Sequence, residues 1–242
     1  MKKEILRVEN VSFNYGETAV LRNVSFTVSK GDFLGIIGSN GAGKSTLIKL
    51  ILGLLQYDEG SITVNNEEVK KIKPQIGYIS QKSNSFNTSF PATVGEVVLS
   101  GLKKKVLSRY TKSDRQKVKQ VLERVGMSGY ENKLIGNLSG GQQQRVFIAR
   151  ALMGDNEIII LDEPTVGIDA MSVRDIMELI LKINSQGVTV IMTNHDTPSL
   201  VEAANKLLIF CEHGNGEIIE RKNLTLDEIN ELYAGRRRHH HA

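Results

Sequence analysis

The sequence predicts an α/β protein, in which helices cover both faces of a mainly parallel sheet and a helical region is inserted into that sheet. Two observations lead to this prediction. Short apolar segments alternate along the chain with helical patterns, which is typical of parallel strands joined by helices. Residues 93–153 have a helical pattern without strand signals, as expected of an insertion. The length of 242 residues is sufficient for one large domain with its own core.

The first 80 residues contain several strand patterns. Apolar residues alternate on either side of the turn-prone Tyr15-Gly16-Glu17, at Ile5, Val8, Val11 and Phe13 and again at Val24, Phe26 and Val28. The continuous apolar segment 33–37 predicts a buried strand, and a helical pattern follows over residues 46–55. Segments 61–64 and 76–79 predict two more strands, whereas the polar residues 83–91 predict a loop.

Strand patterns return in the last third of the chain. They cover residues 157–161 and 188–192, with a helical pattern over residues 170–183 between them. We therefore expect one domain over residues 1–224, with the helical subdomain at about 86–153. The remainder, residues 225–242, is expected to form a C-terminal helix and a basic, histidine-containing tail.

Composition argues against several function classes. The formal net charge is +4, but Arg236, Arg237 and Arg238 lie near the end, and the rest of the chain carries only +1. This nearly neutral body argues against a nucleic-acid partner. No segment has the roughly 18 consecutive apolar residues of a membrane span, and the charges that follow Met1 argue against a signal peptide. The single cysteine, Cys211, fits a reducing cytosol.

A glycine-rich loop follows the apolar segment 33–37. The run Gly38-Ser39-Asn40-Gly41-Ala42-Gly43-Lys44-Ser45 matches G-x-x-x-x-G-K-[ST], and Thr46 continues it into a helix. Such glycines let successive backbone N–H groups point at an anion, and the helix adds its positive N-terminal end. We expect these residues to bind the phosphates of a nucleotide, with Lys44 at the β- and γ-phosphates and the Ser45 hydroxyl on Mg²⁺.

Two carboxylates end the apolar strand that begins near residue 157. Asp162 and Glu163 would lie at the C-terminal edge of the sheet, where open α/β folds place their sites. We expect Asp162 to hold Mg²⁺, directly or through water. Glu163 is expected to polarise the attacking water as a general base. A GTPase is not indicated, because Asn132-Lys133 and Asn205-Lys206 both lack the closing aspartate of Asn-Lys-x-Asp.

The class of nucleotide enzyme is indicated by a motif that opens a helix shortly before the acidic strand, Leu138-Ser139-Gly140-Gly141-Gln142. A serine and two glycines at a helix start supply N–H donors suited to an anion. At this distance from the acidic strand, the motif resembles the signature motif of ABC ATPases. The resemblance extends over essentially the whole chain, to about Leu224.

The resemblance implies ATP and Mg²⁺ as cofactors and a P-loop NTPase (RecA-like) core with an N-terminal antiparallel β-subdomain and an inserted α-helical signature subdomain. It also implies roles for four residues. Tyr15 would stack on adenine, Gln81 would approach Mg²⁺ and the γ-phosphate, Asp169 of the D-loop would cross to a partner subunit, and His195 would sense the γ-phosphate. Taken alone, Tyr15 also fits a core position. The D-loop, Pro164-Thr-Val-Gly-Ile-Asp169, keeps the family's aspartate but departs from the commoner Ser-Ala-Leu-Asp.

The resemblance further implies a head-to-tail homodimer, in which each signature motif closes the ATP site of the other subunit. Hydrolysis would drive separate transmembrane permease subunits at the cytoplasmic face of the cell membrane. The sequence from Phe90-Pro91 to Gly101 is similar to that of zinc and manganese importer ATPases, and zinc is favoured over manganese as the transported ion. Such importers imply an extracellular or periplasmic metal-binding protein. Phe86, Phe90 and Pro91 suit a groove for a partner helix or, alternatively, cap the core of the helical lobe itself.

Other functions stay open at this point. An ATPase of an ABC exporter, or of an importer for another substrate, would share the motifs, and a soluble ABC ATPase acting on ribosomes or DNA is a third class. Lys103-Lys104-Lys105 is interpreted as a solvated loop, with an anionic lipid or partner surface as the alternative. We assign no metal site to His239-His240-His241, interpreted as a cloning remnant or chance composition, or to Cys211 and His213.

Overall fold

The chain forms two units in the computed structural model, which describes residues 2–71, 75–80, 91–102, 109–154, 156–194, 197–210 and 216–220. One unit comprises Met1–Pro74 and Thr189–Ala242, and the other comprises Gln75–Val188. The first unit contains the glycine-rich loop, and the second contains the acidic strand and the signature motif.

An antiparallel sheet forms the N-terminal part of the first unit. Its strands are β1 (Glu4–Tyr15), β2 (Thr18–Ser29), β4 (Glu59–Val64) and β5 (Glu67–Glu68), in the order β2-β1-β4-β5. The predicted turn joins β1 to β2, and Tyr15 pairs with Thr18 beside it. Alternate residues of β1 and β2, such as Leu6 and Val28, are buried, so one face of this hairpin lies in the core. The antiparallel subdomain expected from the resemblance is confirmed.

Parallel strands form the rest of the first unit. The central strand, β3 (Phe33–Ile37), is buried throughout and pairs in parallel with β8 (Thr189–Thr193) and β9 (Lys206–Phe210), and β10 (Gly216–Glu220) pairs antiparallel with β9. Two helices belong to these strands, α1 (Lys44–Ile51) and α6 (Thr197–Ala203). At Gly35 of β3, a Cβ atom would lie 3.0 Å from Leu200 of α6, so the helix packs directly on the strand.

Helix α1 is shorter than the sequence pattern predicts. The pattern continues to residue 55, but the helix ends at Ile51 and its backbone turns at Gly53, which has a φ of +66°. A left-handed glycine after the last turn is a common helix stop. Leu54 follows this turn and is exposed.

Helices dominate the second unit. Its parallel strand pair is β6 (Ile76–Ile79) with β7 (Ile158–Asp162). The helices are α2 (Val94–Leu99), α3 (Lys112–Arg124), α4 (Gly140–Leu152) and α5 (Ala170–Ser185), with a 3₁₀ turn at Ile135–Asn137. Thr93, Thr111 and Ser139 open α2, α3 and α4 with reciprocal capping boxes.

The predicted α/β class is confirmed, because parallel strands alternate with helices and an antiparallel sheet accompanies them. Within the ranges that the structure describes, no helix has both the length and the hydropathy needed to cross a bilayer. The domain limits at residues 86, 153 and 224 stay predictions.

Candidate nucleotide site

The glycine-rich loop of the first unit wraps around a lysine. Lys44 is buried, and its Nζ atom donates hydrogen bonds to the backbone oxygens of Gly38 at 2.7 Å and Ser39 at 2.9 Å. These bonds hold the ammonium group over the loop that leads from β3 to α1. A cation fixed by its own loop is suited to binding a phosphate that the same loop surrounds.

Two glycines permit the path of this loop. Gly41 and Gly43 have φ values of +83° and +98°, in the left-handed region that favours glycine. A Cβ atom on Gly43 would also lie 2.7 Å from the Cδ2 atom of Leu21. Gly43 precedes α1, and among the described residues no side chain caps that helix. Its first backbone N–H groups are therefore suited to an anion rather than to a capping side chain.

The other predicted residues of the loop differ in exposure. Asn40 and Ser45 are exposed, whereas Ala42 and Thr46 are buried. Tyr15 lies at the end of β1 and exposes 49% of its surface, while its ring meets Phe13 edge-on at 4.8 Å between centroids. Tyr15 is therefore not a core residue, and part of its ring is accessible for stacking.

The acidic pair of the second unit ends a fully buried strand. Asp162 is the last residue of β7 and Glu163 follows it, and both are buried. Glu163 has a φ of +52°, which is uncommon for a residue with a side chain. Burial and the negative charge of Asp162 together raise the pKa of Tyr78 to about 12. Tyr78 thus stays protonated near Asp162, whereas the sequence pattern placed it only in the predicted strand 76–79.

The signature motif forms the capped start of α4. The Ser139 hydroxyl accepts a hydrogen bond from the backbone N–H of Gln142 at 3.3 Å, and the Gln142 side chain accepts one from the N–H of Ser139 at 3.2 Å. Ser139 and Gly140 are exposed, whereas Leu138 and Gly141 are buried. The predicted helix start is thus present, with the serine and first glycine on the surface. A cleft of about 300 Å³ lies beside this turn.

The D-loop aspartate caps the neighbouring helix. The Asp169 side chain accepts a hydrogen bond from the N–H of Ser172 at 3.0 Å, and hydrogen bonds from Ser172 lower the pKa of Asp169. A Cβ atom on Gly141 would lie 2.8 Å from Ser172. The first turns of α4 and α5 therefore lie against each other, which brings the signature motif beside the D-loop within the second unit.

Several predicted residues lie outside the described ranges. These are Gln81 and His195 among the site residues, Phe86, Phe90, Cys211 and His213, the run Lys103-Lys104-Lys105, and the tail. Asn205, considered and rejected for guanine recognition, instead binds backbone: its side chain accepts a hydrogen bond of 2.6 Å from the N–H of Phe33.

Comparison with known proteins adds to this geometry. Residues 21–166 match the family described as ABC transporter, which is more than half of the chain. This chain belongs to the ABC transporter family. The family predicted from the signature motif is thereby confirmed, and ATP is its nucleotide.

Relatives of this ABC protein match nearly its full length. It is 44% identical to the zinc uptake system ATP-binding protein ZurA of Listeria monocytogenes, over 98% of this chain and 95% of that protein. It is 39% identical to the manganese transport system ATP-binding protein MntB of Halalkalibacterium halodurans, over 85% of this chain and 82% of that protein.

Solved ABC structures have the same fold. A metal-chelate type ABC transporter in an inward-facing conformation has a TM-score of 0.83 at 29% identity, covering 96% of this chain and 90% of that one. The ATP-binding cassette MJ0796, in a dimeric post-hydrolysis state bound to ADP and Pi, has a TM-score of 0.74 at 27% identity, covering 90% of this chain and 99% of that one.

Proposed function

We propose that this chain is the ATP-hydrolysing subunit of an ABC importer that energises the uptake of a divalent metal ion, zinc first and manganese second. The observation that carries the proposal is the near full-length similarity to zinc and manganese transport ATPases. The anchored lysine of the glycine-rich loop supports the ATPase part of the proposal.

Residues 38–46 bind the ATP phosphates in this proposal. Lys44 contributes a positive charge at the β- and γ-phosphates, and the N-terminal turn of α1 contributes backbone N–H groups. Tyr15 stacks on adenine through the accessible part of its ring. His195 senses the γ-phosphate from the segment that follows β8.

Glu163 is the proposed general base. Burial keeps its carboxylate away from bulk water, and the left-handed backbone sets the direction in which its side chain leaves the strand end. The candidate Mg²⁺ ligands are the Ser45 hydroxyl, the Asp162 carboxylate and the Gln81 amide oxygen. Oxygen donors of these kinds suit Mg²⁺, which would neutralise phosphate charge when bound.

The signature motif is proposed to act on a second copy of the chain. The segment from Leu138 to Gln142 would contact ATP held by the partner, and its exposed Ser139 and Gly140 are consistent with a contact outside their own subunit. Asp169 of the adjacent D-loop would contribute to the same head-to-tail dimer. A dimeric solved cassette supports this assembly.

The catalytic assignment is tested with Glu163→Gln, which removes the basic oxygen and keeps the shape. We expect ATP binding to persist, hydrolysis to fall by about 10²–10⁴-fold as on removal of a general base, and an ATP-dependent dimer to accumulate. The measurements are phosphate release and size-exclusion chromatography with light scattering. Normal turnover by this variant would remove Glu163 from the role of base.

The cargo assignment needs the complete transporter. We propose that the chain works at the cytoplasmic face of the membrane with permease subunits. An extracellular or periplasmic metal-binding protein would deliver the metal ion to these subunits. In proteoliposomes that contain all components, the zinc-loaded binding protein should stimulate ATP hydrolysis most, and the manganese-loaded form second. Equal rates with the metal-free and both metal-loaded forms would contradict metal import while leaving the ATPase assignment intact.

A further inference from the structure

Gln144 in helix α4 combines complete burial with an unpaired amide. Its side chain has no exposed surface, and neither its Nε2 nor its Oε1 atom has a hydrogen-bond partner in the part of the chain that the structure describes. Folded proteins contain few buried polar groups of this kind, and each one calls for a physical explanation.

The preceding glutamine shows that α4 can satisfy a buried amide. Gln143 is also buried, and its Nε2 atom donates to the backbone oxygens of Ile135 at 3.3 Å and Leu138 at 3.1 Å. These two bonds hold the segment that leads into the signature motif. The two neighbouring glutamines therefore share residue type, helix and burial, and they differ in whether their amides are paired.

Gln144 lies one helical turn after the signature glycines. Residues three and four apart share a helix face, so Gln144 follows Gly141 and Gly140 on one side of α4. A Cβ atom on Gly141 would meet Ser172, which is bound by the D-loop aspartate, Asp169. The unpaired amide thus belongs to the helix face that begins at the contact between α4 and α5.

We propose that Gln144 is a positioning residue whose amide gains hydrogen-bond partners in the ATP-bound arrangement of α4. An amide that is unpaired in one state and paired in another shifts the equilibrium towards the second state. Gln144 would thereby disfavour the position of α4 in which its amide is unpaired and favour the position in which the signature motif contacts ATP on a partner subunit. This inference rests on the proposed function, because it acts through the signature motif.

The first test compares Gln144→Met with Gln143→Met in the nucleotide-free protein. Methionine has nearly the length of glutamine without the amide, so Gln144→Met removes an unpaired group and should raise Tm by about 2–6 °C. Gln143→Met should lower Tm, since the carbonyl of Leu138 loses the amide donor and the carbonyl of Ile135 keeps only the N–H of Leu138. A lower Tm for Gln144→Met, or its failure to fold, would show that the amide is already satisfied and would overturn the proposal.

The second test adds each change to Glu163→Gln and measures ATP-dependent dimerisation. With Gln144→Met, we expect the ATP concentration for half-maximal dimerisation to rise about tenfold, which corresponds to the loss of about one net hydrogen bond. Because Gln143 holds Leu138 of the signature motif, Gln143→Met should raise this concentration too, but by less than Gln144→Met does. An unchanged ATP requirement with Gln144→Met would make the unpaired amide an inert defect and overturn the inference alone. No dimer in the single variant Glu163→Gln would overturn the proposed function and this inference together.

Discussion

Glu163 carries its carboxylate on a backbone that glutamate seldom adopts. Its φ of +52° is left-handed, although the following residue, Pro164, favours an extended conformation at this position. Residues in such conformations persist where the surrounding structure imposes them, and they concentrate at functional sites. The strained backbone therefore supports a functional role for Glu163 on grounds that do not depend on its carboxylate.

Two variants of Glu163 measure this strain. Glu163→Gly and Glu163→Ala both delete the carboxylate, but only glycine adopts the left-handed backbone without penalty. We expect Glu163→Gly to be more stable than Glu163→Ala by about 1 kcal/mol in urea unfolding. Neither variant should hydrolyse ATP, and an assay of phosphate release measures this.

The same pair of substitutions at Glu178, on the exposed side of α5, is the control. There the backbone is helical, so alanine should be more stable than glycine by about 1 kcal/mol. If alanine is also the more stable residue at position 163, the left-handed conformation does not strain that site.

Residue types were more predictable than residue conformations. The roles proposed for Lys44, Asp162 and Glu163 came from motif chemistry. The structure adds the hydrogen bonds that hold Lys44 and the left-handed backbone of Glu163. A glycine in the sequence can indicate a left-handed backbone, as at Gly43, because glycine lacks a Cβ atom. A glutamate gives no such indication, because its left-handed backbone is imposed by tertiary contacts.

At the scale of elements, two bulges explain the spacing of apolar residues in β1 and β2. Val8 and Val11 are three apart yet both are buried, because Asn10 between them has a φ of +50° and shifts the strand register. Asn23 has the same conformation in β2, and its N–H donates to the Ser12 hydroxyl at 3.1 Å. An odd spacing around asparagine is thus a readable bulge signal, which strict alternation does not capture.

A matched pair of capping residues separates the structural and functional contributions of a helix start. Ser139 and Thr111 open α4 and α3 with the same reciprocal box. Replacing either with alanine should lower the free energy of unfolding by about 1 kcal/mol, since each loses a cap. Only Ser139→Ala should also reduce ATP hydrolysis, because Ser139 belongs to the proposed signature contact. The measurements are thermal unfolding and phosphate release for both variants. If the two variants hydrolyse ATP equally fast, Ser139 acts only as a helix cap.

At the scale of the whole molecule, the sequence predicted the alternation of strands and helices but not the contacts that join distant segments. Asp32 is the clearest case. It is buried and accepts hydrogen bonds from the N–H of Ser29 at 2.9 Å and the side chains of Lys2 at 3.0 Å and Asn205 at 3.2 Å. Lys206 lies 3.2 Å away as a second cation. A single aspartate between two strands resembles an ordinary turn residue, and only the fold reveals that it joins segments 173 positions apart.

The Asp32 cluster predicts how the stability of the first unit depends on pH. Burial alone would raise the pKa of Asp32, but hydrogen bonds from Ser29, Lys2, Asn205 and Lys206 outweigh it and lower the pKa. A carboxyl whose pKa is lower in the folded state stabilises that state above its unfolded pKa of about 3.9. The stabilisation is lost as the pH falls from there through the folded pKa.

We therefore expect Asp32→Asn to lower the free energy of unfolding by about 2 kcal/mol at pH 7, because charged hydrogen bonds to a buried group are lost. The difference between Asp32→Asn and the unchanged protein should stay constant from pH 7 to about pH 5 and shrink below pH 4. Urea unfolding at each pH measures it, and the comparison cancels the titration of other carboxylates. Glu4→Gln, at the exposed pair with Arg7, should have a much smaller effect at neutral pH. A pH-independent difference for Asp32→Asn would mean that the carboxylate charge contributes nothing to holding β3 and β9 together.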